Sequence, residues 1–425
     1  TATVTATVTA APSPTSSASP TVTSIPTGDV LSLPRVAWEG GPAYWTQFAR
    51  AKAAGWDSDS FFPIISYSNS YSGSSEIGWD ASLGINAYQG LNPWSDFSLL
   101  SQYGMSYIGE PYTYQPTGAT MPDNLAGWVG RTVPDEIDGT SSSSTAGLAA
   151  VTAQTDAWRA LGDGRFIQAN YTQMVVRTGF QPAGAQYVNH PGVDAVSMDM
   201  YWYTIPDSSF GGQYVSDVGG PVNPRRATSY GAMTSGLRQL DGQDGARKPV
   251  WMFVEALSGS PGEQWVRDAT PAEIKAAAMS ALIHEARGLM WFNNVASSGH
   301  SVGNVFRQAQ VLGAGFRGYP QVMAVKDTNQ LVKSLAPVLN TQSYQWKFGT
   351  GLDTMLKVRD GYAYIFAMAD NASTSWGGRT LTLPAGITGT TAEVVGENRT
   401  VTVAGGAFTD TFASETAWHI YKIKL

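Results

Sequence analysis

The segment Val129–Gly139, VGRTVPDEIDG, places three carboxylates, Asp135, Glu136 and Asp138, within four positions at the end of a short apolar run. Like charges so close repel one another, so packing alone gains little from them. They form either a solvated acidic turn or an acid/base site. Glu255 follows the apolar and aromatic run VWMFV. A carboxylate buried without a partner is costly, so it either meets an Arg or Lys or keeps its proton. Cleavage of a glycosidic bond requires two opposed carboxyl groups. One protonates the leaving oxygen, and the other attacks or stabilises the oxocarbenium-like carbon. A separation of about 5 Å makes the second a nucleophile, with retention; about 6.5–9.5 Å admits a water, with inversion.

Other apolar runs also end in groups able to do chemistry. Glu110 closes MSYIGE and precedes Pro111, Tyr112 and Tyr114, which reads as the lining of a sugar subsite. Asn170 lies in RFIQANY, Asp199, Tyr201 and Tyr203 in VDAVSMDMYWY, and Trp291 and Asn293 in LMWFNN. Asp199 is expected to be structural, satisfying backbone near a strand end. Asp135 either holds the neighbouring Glu136, raises its pKa by like charge, or is itself the working acid.

These residues need strands to carry them. Eight apolar runs qualify: Phe62–Tyr67, Ile85–Leu91, Met105–Glu110, Val129–Glu136, Arg165–Tyr171, Val193–Tyr203, Pro249–Glu255 and Leu289–Asn294. Helical patterns separate several of them. The clearest are Ser144–Leu161 and Thr270–Arg287, the second opening on Thr-Pro with a Glu three residues after the Thr. Buried runs alternating with helices indicate parallel strands and crossovers, and eight such units fit an α/β (β/α)8 TIM barrel. An open doubly wound sheet is the alternative, but no G-x-G-x-x-G follows the first strand. In a barrel, strand ends at the C-terminal face carry the chemistry. Strands four and seven face one another there, and Glu136 and Glu255 lie 119 residues apart, as three βα units require.

Residues 31–60 read as a leading loop and helix, and 31–342 as the barrel with it. Beyond Tyr344, short alternating segments separated by turns indicate a small antiparallel β-sandwich over 343–425. Residues 1–30 are nearly all Thr, Ser, Ala, Pro and Val, and read as a tether that could attach the chain to a larger assembly. The start at Thr1, with neither Met nor a signal-like stretch, points to a chain processed or cut from a longer one.

Composition narrows the function. Charged residues are 14%, against roughly 25% in an average soluble protein, which suits an extracellular or virion-associated protein. Net charge is −7 and no basic run exceeds Arg225-Arg226, so nucleic acid is excluded as a partner. The 14 Trp and 19 Tyr fit a site that stacks on sugars. No run of about 18 apolar residues would span a membrane. With no cysteine there is no disulfide or zinc–thiolate site. His190, His284, His300 and His419 show no metal spacing, and no G-x-S-x-G elbow occurs. No cofactor or metal is implied. Asn371 and Asn398 head N-x-S/T triplets, relevant only to a eukaryotic secretory route.

The layout resembles the superfamily of retaining (β/α)8 glycoside hydrolases, whose acid/base and nucleophilic glutamates end strands four and seven. The resemblance covers roughly Phe61 to Gln342, and the ending AGGAFTDTFASETAWHIYKI is similar to the small sandwich that often follows. It implies Glu136 as acid/base, Glu255 as nucleophile, Tyr201 or Tyr203 as the hydroxyl beside the nucleophile, and Trp291 as the sugar floor. The chain departs in carrying Asp135 where the family has Asn, and in lacking a strand-two Arg, where Gln89 or Asn92 would have to serve. The implied activity is hydrolysis of an extracellular or cell-wall polysaccharide. The alternative is a carbohydrate-binding or adhesion module without turnover, as on a bacteriophage tail; a structural spacer is a third reading.

Overall fold

The computed structural model describes residues 30–92, 94–110, 127–206, 214–215, 225–294 and 304–425. The expected tether lies, except for Val30, outside the described residues. Eight strands, β1 (Ile64–Asn69), β2 (Ala87–Leu91), β3 (Ser106–Gly109), β4 (Trp128–Thr132), β5 (Phe166–Thr172), β6 (Ala195–Asp199), β7 (Val250–Glu255) and β8 (Leu289–Phe292), form a closed barrel in chain order. Each pairs in parallel with its neighbour, and β8 returns to β1 through Met290 opposite Ile65. Closure rules out the open sheet.

The runs look uninterrupted because both faces are buried, yet a period of two sorts them. Ile65, Ala87, Ile108, Val129, Phe166, Ala195, Trp251 and Met290 fill the interior. Ile64, Val196, Met198, Met252, Val254, Leu289 and Trp291 belong to the layer between strands and helices. After α1 (Ala49–Ala53), which belongs to the leading segment, that layer is completed by α2 (Ser74–Ser82), α3 (Leu99–Gln102), α4 (Ile137–Thr140), α5 (Ser144–Ala160), α6 (Ala183–Val188), α7 (Thr228–Asp241), α8 (Pro271–Ile283), α9 (Val305–Leu312) and α10 (Tyr319–Leu339). At the start of α8, Thr270 Oγ1 accepts from the Glu273 N–H at 3.3 Å while Glu273 Oε2 accepts from the Thr270 N–H at 2.7 Å. Two otherwise orphaned donors are satisfied there, which fixes where the helix begins.

The leading segment plugs the barrel from below. A 3-10 helix, Gly41–Gln47, runs into α1 and delivers Trp45, Phe48 and Trp56 to the interior cluster. Trp45 and Trp56 pack edge to face at 4.8 Å, and each lies within about 5.2 Å of Phe166. Trp56 is fully buried and donates its indole N–H to Ser106 Oγ at 2.9 Å, so its one polar atom is satisfied.

After α10 come β9 (Leu352–Arg359), β10 (Tyr362–Ala369), β11 (Gly377–Thr382), β12 (Thr391–Val394), β13 (Arg399–Thr402), β14 (Ala407–Phe412) and β15 (Trp418–Lys424). A five-stranded sheet in the order β13-β12-β15-β10-β9 packs against the β11–β14 ribbon over Ile365, Leu381, Phe408, Phe412 and Tyr421. This is the expected sandwich in reduced form. It is fastened to the barrel by charge as well as packing: Lys357 of β9 lies 3.4 Å from Glu285, and Arg226 donates to the Ser373 carbonyl at 2.7 Å.

Trp56→Ala would remove one of the two tryptophans of the plug and leave Ser106 Oγ without its donor. The expected loss is about 3–5 kcal/mol of unfolding free energy, read from chemical denaturation.

Candidate active site

The three carboxylates after β4 part into distinct roles. Asp138 is buried and faces β5, where its oxygens accept from the Thr172 N–H at 2.9 Å and the Thr172 hydroxyl at 2.6 Å. Burial pushes its pKa up to about 6 against those two bonds. It is a clasp between loop and strand. Asp135 is exposed, and its oxygens accept from the Tyr67 hydroxyl at 2.7 Å and from Asn170 Nδ2 at 2.9 Å. Asn170 is itself fixed, since its Oδ1 accepts from the Ser197 hydroxyl, and Ser197 accepts from Gln168 Nε2, both at 2.7 Å. The Asp135 carboxylate is thus aimed by donors whose own rotamers are locked.

Between them Glu136 adopts a left-handed backbone, φ 50° and ψ 35°. That conformation costs a non-glycine residue on the order of 1 kcal/mol and is found where surroundings enforce it. Here the Glu136 N–H donates to the Asn170 carbonyl at 3.2 Å, and the Glu136 carbonyl accepts from Gly139 and Thr140, each at 2.9 Å. The twist sends the Glu136 side chain to Asp199, which hydrogen-bonds it. Two carboxyls in contact share one proton. Burial, then the charge of Glu136, hold Asp199 well above the usual carboxylate range, so Asp199 keeps the proton and Glu136 accepts it. Burial, with the charge of Asp135 behind it, raises Glu136 as well. Tyr201 donates a further bond to Asp199 Oδ2 at 3.1 Å.

These groups meet in a cavity of about 310 Å³ at the C-terminal mouth, where Asp135, Glu136, Asn170, Asp199 and Asn294 supply the polar wall. The apolar wall is aromatic. Tyr201 stacks on Phe292 at 4.5 Å, Trp265 leans on Phe292 at 5.2 Å, and Tyr67 meets Phe253 edge-on at 5.3 Å. Trp265 and Gln264 come from the β7–α8 loop. Its course is pinned by the Ser260 N–H on the Trp265 carbonyl and the Val266 N–H on the Thr204 carbonyl, at 2.8 and 2.7 Å. Among the described residues no cluster has the make-up of a metal site. No described helix is long and apolar enough to cross a membrane.

Of the expected site residues, Glu136, Asp135, Asn170 and Tyr201 line this cavity. The five others are turned elsewhere. Glu255 is 1% exposed and leans sideways from the end of β7. It accepts from the Tyr203 N–H at 2.8 Å and from the Tyr230 hydroxyl on α7, so the opposed Glu136–Glu255 pair is not what the mouth presents. Its partners are two tyrosines rather than the guanidinium a buried carboxylate could have met. Tyr203 is buried with its hydroxyl on Glu415 of the sheet, at 2.8 Å. Trp291 points outward and donates to Asn329 Oδ1 on α10 at 2.8 Å, because in β8 the alternate residues Met290 and Phe292 face in. Phe292 therefore takes the place expected of Trp291. Asn293 is buried on Ser66 Oγ at 2.8 Å, and the next residue, Asn294, reaches the cavity. Glu110 is buried behind the cavity wall, hydrogen-bonded to Tyr67 and Gln89; Tyr112 and Tyr114 lie outside the described residues.

Asp199, expected to be structural, instead faces the cavity. Its signal is in the strand: Ala195, Ser197, Asp199 and Tyr201 are small or polar, while Val196, Met198 and Met200 are apolar. That alternation puts Asp199 on the inner face. A larger cavity, about 470 Å³, opens between α7, α8 and β9, but it holds no paired carboxyls.

No family model matches the sequence, and no curated relative does. Solved structures share the fold. A proposed alpha-galactosidase from Bacteroides fragilis superposes with a TM-score of 0.51 at 10% identity, over 86% of this chain and 80% of that one. Amy13B of Eubacterium rectale gives 0.51 at 9% identity, over 86% and 96%. A GH30 endoxylanase from Clostridium papyrosolvens gives 0.47 at 10%, over 93% and 98%. At such identities the likeness is one of fold.

Burial raises Glu255 to about 7, against the bonds from Tyr230 and Tyr203 that lower it. A group whose pKa rises on folding stabilises the fold most below its unfolded value, about 4.5, and that share is lost as pH climbs through about 7. Glu255→Gln, a mimic of the neutral acid, should flatten the fall in unfolding free energy between those pH values by at most on the order of 3 kcal/mol. Denaturation at a series of pH values measures it.

Proposed function

We propose that the protein is a glycoside hydrolase acting on an uncharged polysaccharide. One observation carries the reading: a carboxyl pair sharing a proton stands beside a separately oriented carboxylate in one cavity with an aromatic wall. That is the equipment for breaking an acetal: a proton for the leaving oxygen, a negative charge for the anomeric carbon, and an apolar face for the ring. The glycosidase names among proteins of this fold accord with it.

The proton of the Asp199–Glu136 pair passes to the glycosidic oxygen as its bond to the anomeric carbon breaks. Asp135, freed from neither of its donors, attacks that carbon and forms a glycosyl ester. Water then cleaves the ester, giving its proton back to the pair, so the configuration is retained. This moves the nucleophile from Glu255, which is turned away from the mouth, to Asp135. Supporting an uncharged substrate, no Lys, Arg or His is found among the described lining residues, whereas sites for acidic sugars clamp them with guanidinium groups. Action outside a cell is part of the proposal, supported by the sparse charge of the chain and by a polymeric substrate.

The test is hydrolysis of dyed starch, xylan, mannan and β-glucan. Asp135→Asn and Asp199→Asn should each lower kcat on the order of a thousandfold or more with binding kept, whereas Glu255→Gln should retain most of it. A loss at Glu255→Gln equal to that at Asp135→Asn would return the nucleophile to strand seven. NMR of the first product's anomeric configuration decides retention.

A further inference from the structure

Glu110 is the carboxyl that this chemistry leaves unused, and its surroundings are built around it. It follows β3 directly, 7% exposed, with its carboxyl hydrogen-bonded to Tyr67 of β1 and Gln89 of β2. Beside it, Gly90 has φ +71°, and a Cβ there would sit 2.9 Å from the Glu110 carboxyl carbon. Position 90 therefore leaves space for this group, at a backbone angle few other residues accept. Tyr67 in turn donates its only proton to Asp135 Oδ2 at 2.7 Å.

We infer that Glu110 is a positioning residue for the reaction proposed above: as a neutral acid it donates to the Tyr67 oxygen, so that Tyr67 directs its own proton to Asp135 and holds that carboxylate in attacking orientation. A hydroxyl that accepts one hydrogen bond becomes a better donor for the next. The titratable groups facing Glu110 are Asp135, from the loop after β4, which is charged, and the neutral Tyr67 hydroxyl; Gln89 does not titrate. Burial, then the charge of Asp135, push Glu110 up to about 8, so the acid is neutral at pH 7. Above that it ionises, competes for the Tyr67 proton, and Asp135 loses a donor.

The inference rests on the hydrolase reading and is tested with whichever polysaccharide of the panel the wild type cleaves. Glu110→Leu, matched in thermal stability by a melting curve, should lower kcat roughly tenfold with KM little changed. Glu110→Gln, which keeps a donor, should restore the neutral rate and remove the fall in rate that the wild type shows as pH passes about 8. In a Tyr67→Phe background, Glu110→Leu should cost nothing further, because the path is already cut. Should Glu110→Leu fail to fold, Gly90→Ala and Tyr67→Phe carry the same prediction, a lowered kcat with KM kept. An active wild type with Glu110→Leu at full rate, or with Glu110→Leu and Tyr67→Phe losses that add, overturns this inference alone. A wild type that cleaves none of the panel, or Asp135→Asn at full rate, overturns the hydrolase reading and this inference with it.

Discussion

Three carboxyl groups at one barrel mouth repel one another, and their coexistence depends on the proton held between Asp199 and Glu136. Deprotonate both and the cavity would carry three negative charges among Phe253, Phe292 and Trp265, where little water screens them. Burial and the facing charge of Glu136 keep that proton in place, against the Tyr201 bond, which favours its release. Asp199 is half-buried on the inner face of β6 with Tyr201 donating to it, and Glu136 is thrown toward it by a left-handed turn. Asp135, one residue earlier, is drawn the other way by Tyr67 and Asn170. Adjacent residues thus serve two sides of one cavity, and the strained turn between them is what separates the sides.

The geometry holds because the barrel beneath is stiff. The polar chain Gln168–Ser197–Asn170–Asp135 runs from interior to mouth across β5, β6 and the loop after β4, with each bond between 2.7 and 2.9 Å. Below it, Trp45, Trp56, Phe166 and Trp251 fill the bore, so the strands cannot breathe inward. The leading segment looked incidental to a barrel, yet it supplies the floor on which the mouth is built. A close-packed base and a hydrogen-bonded rim together hold the carboxyls of the mouth in one arrangement.

The strands were legible because buried parallel runs leave a composition signal: all eight overlap the runs read from the sequence, with β1, β4 and β5 overrunning theirs by one or two residues, and the capping pair Thr270 and Glu273 marked the start of its helix to the residue. The cluster at Asp135–Asp138 stood out because repelling charges need a reason. Orientation was harder. Trp291 and Phe292 are equally plausible floors by residue type, and only the phase of β8 separates them. The alternation around Asp199 was there to be read, but its apolar neighbours are methionines and valine, so the strand looked continuous. Glu255 defeats phase altogether. It follows Trp251 and Phe253 in register, yet at the strand end two donors from elsewhere in the fold outweigh the pleat.

What those donors belong to explains why a carboxyl is kept at the end of so apolar a run. Tyr203 gives its N–H to Glu255 and its hydroxyl to Glu415, which arrives from the turn before β15. Glu415 also accepts from the Ala227 N–H at 2.9 Å, capping the first turn of α7, where the positive end of the helix favours a carboxylate. Tyr230, one turn further along α7, closes the loop back to Glu255 and stacks on Tyr203 at 5.8 Å. The two acids and two phenols form one buried joint between the barrel and the sheet. Its central residue lies four positions after Asp199, on the same extension of β6 that carries Tyr201 into the cavity. Glu255 therefore bears on the cavity through that extension, by fixing the strand end from which Asp199 and Tyr201 project.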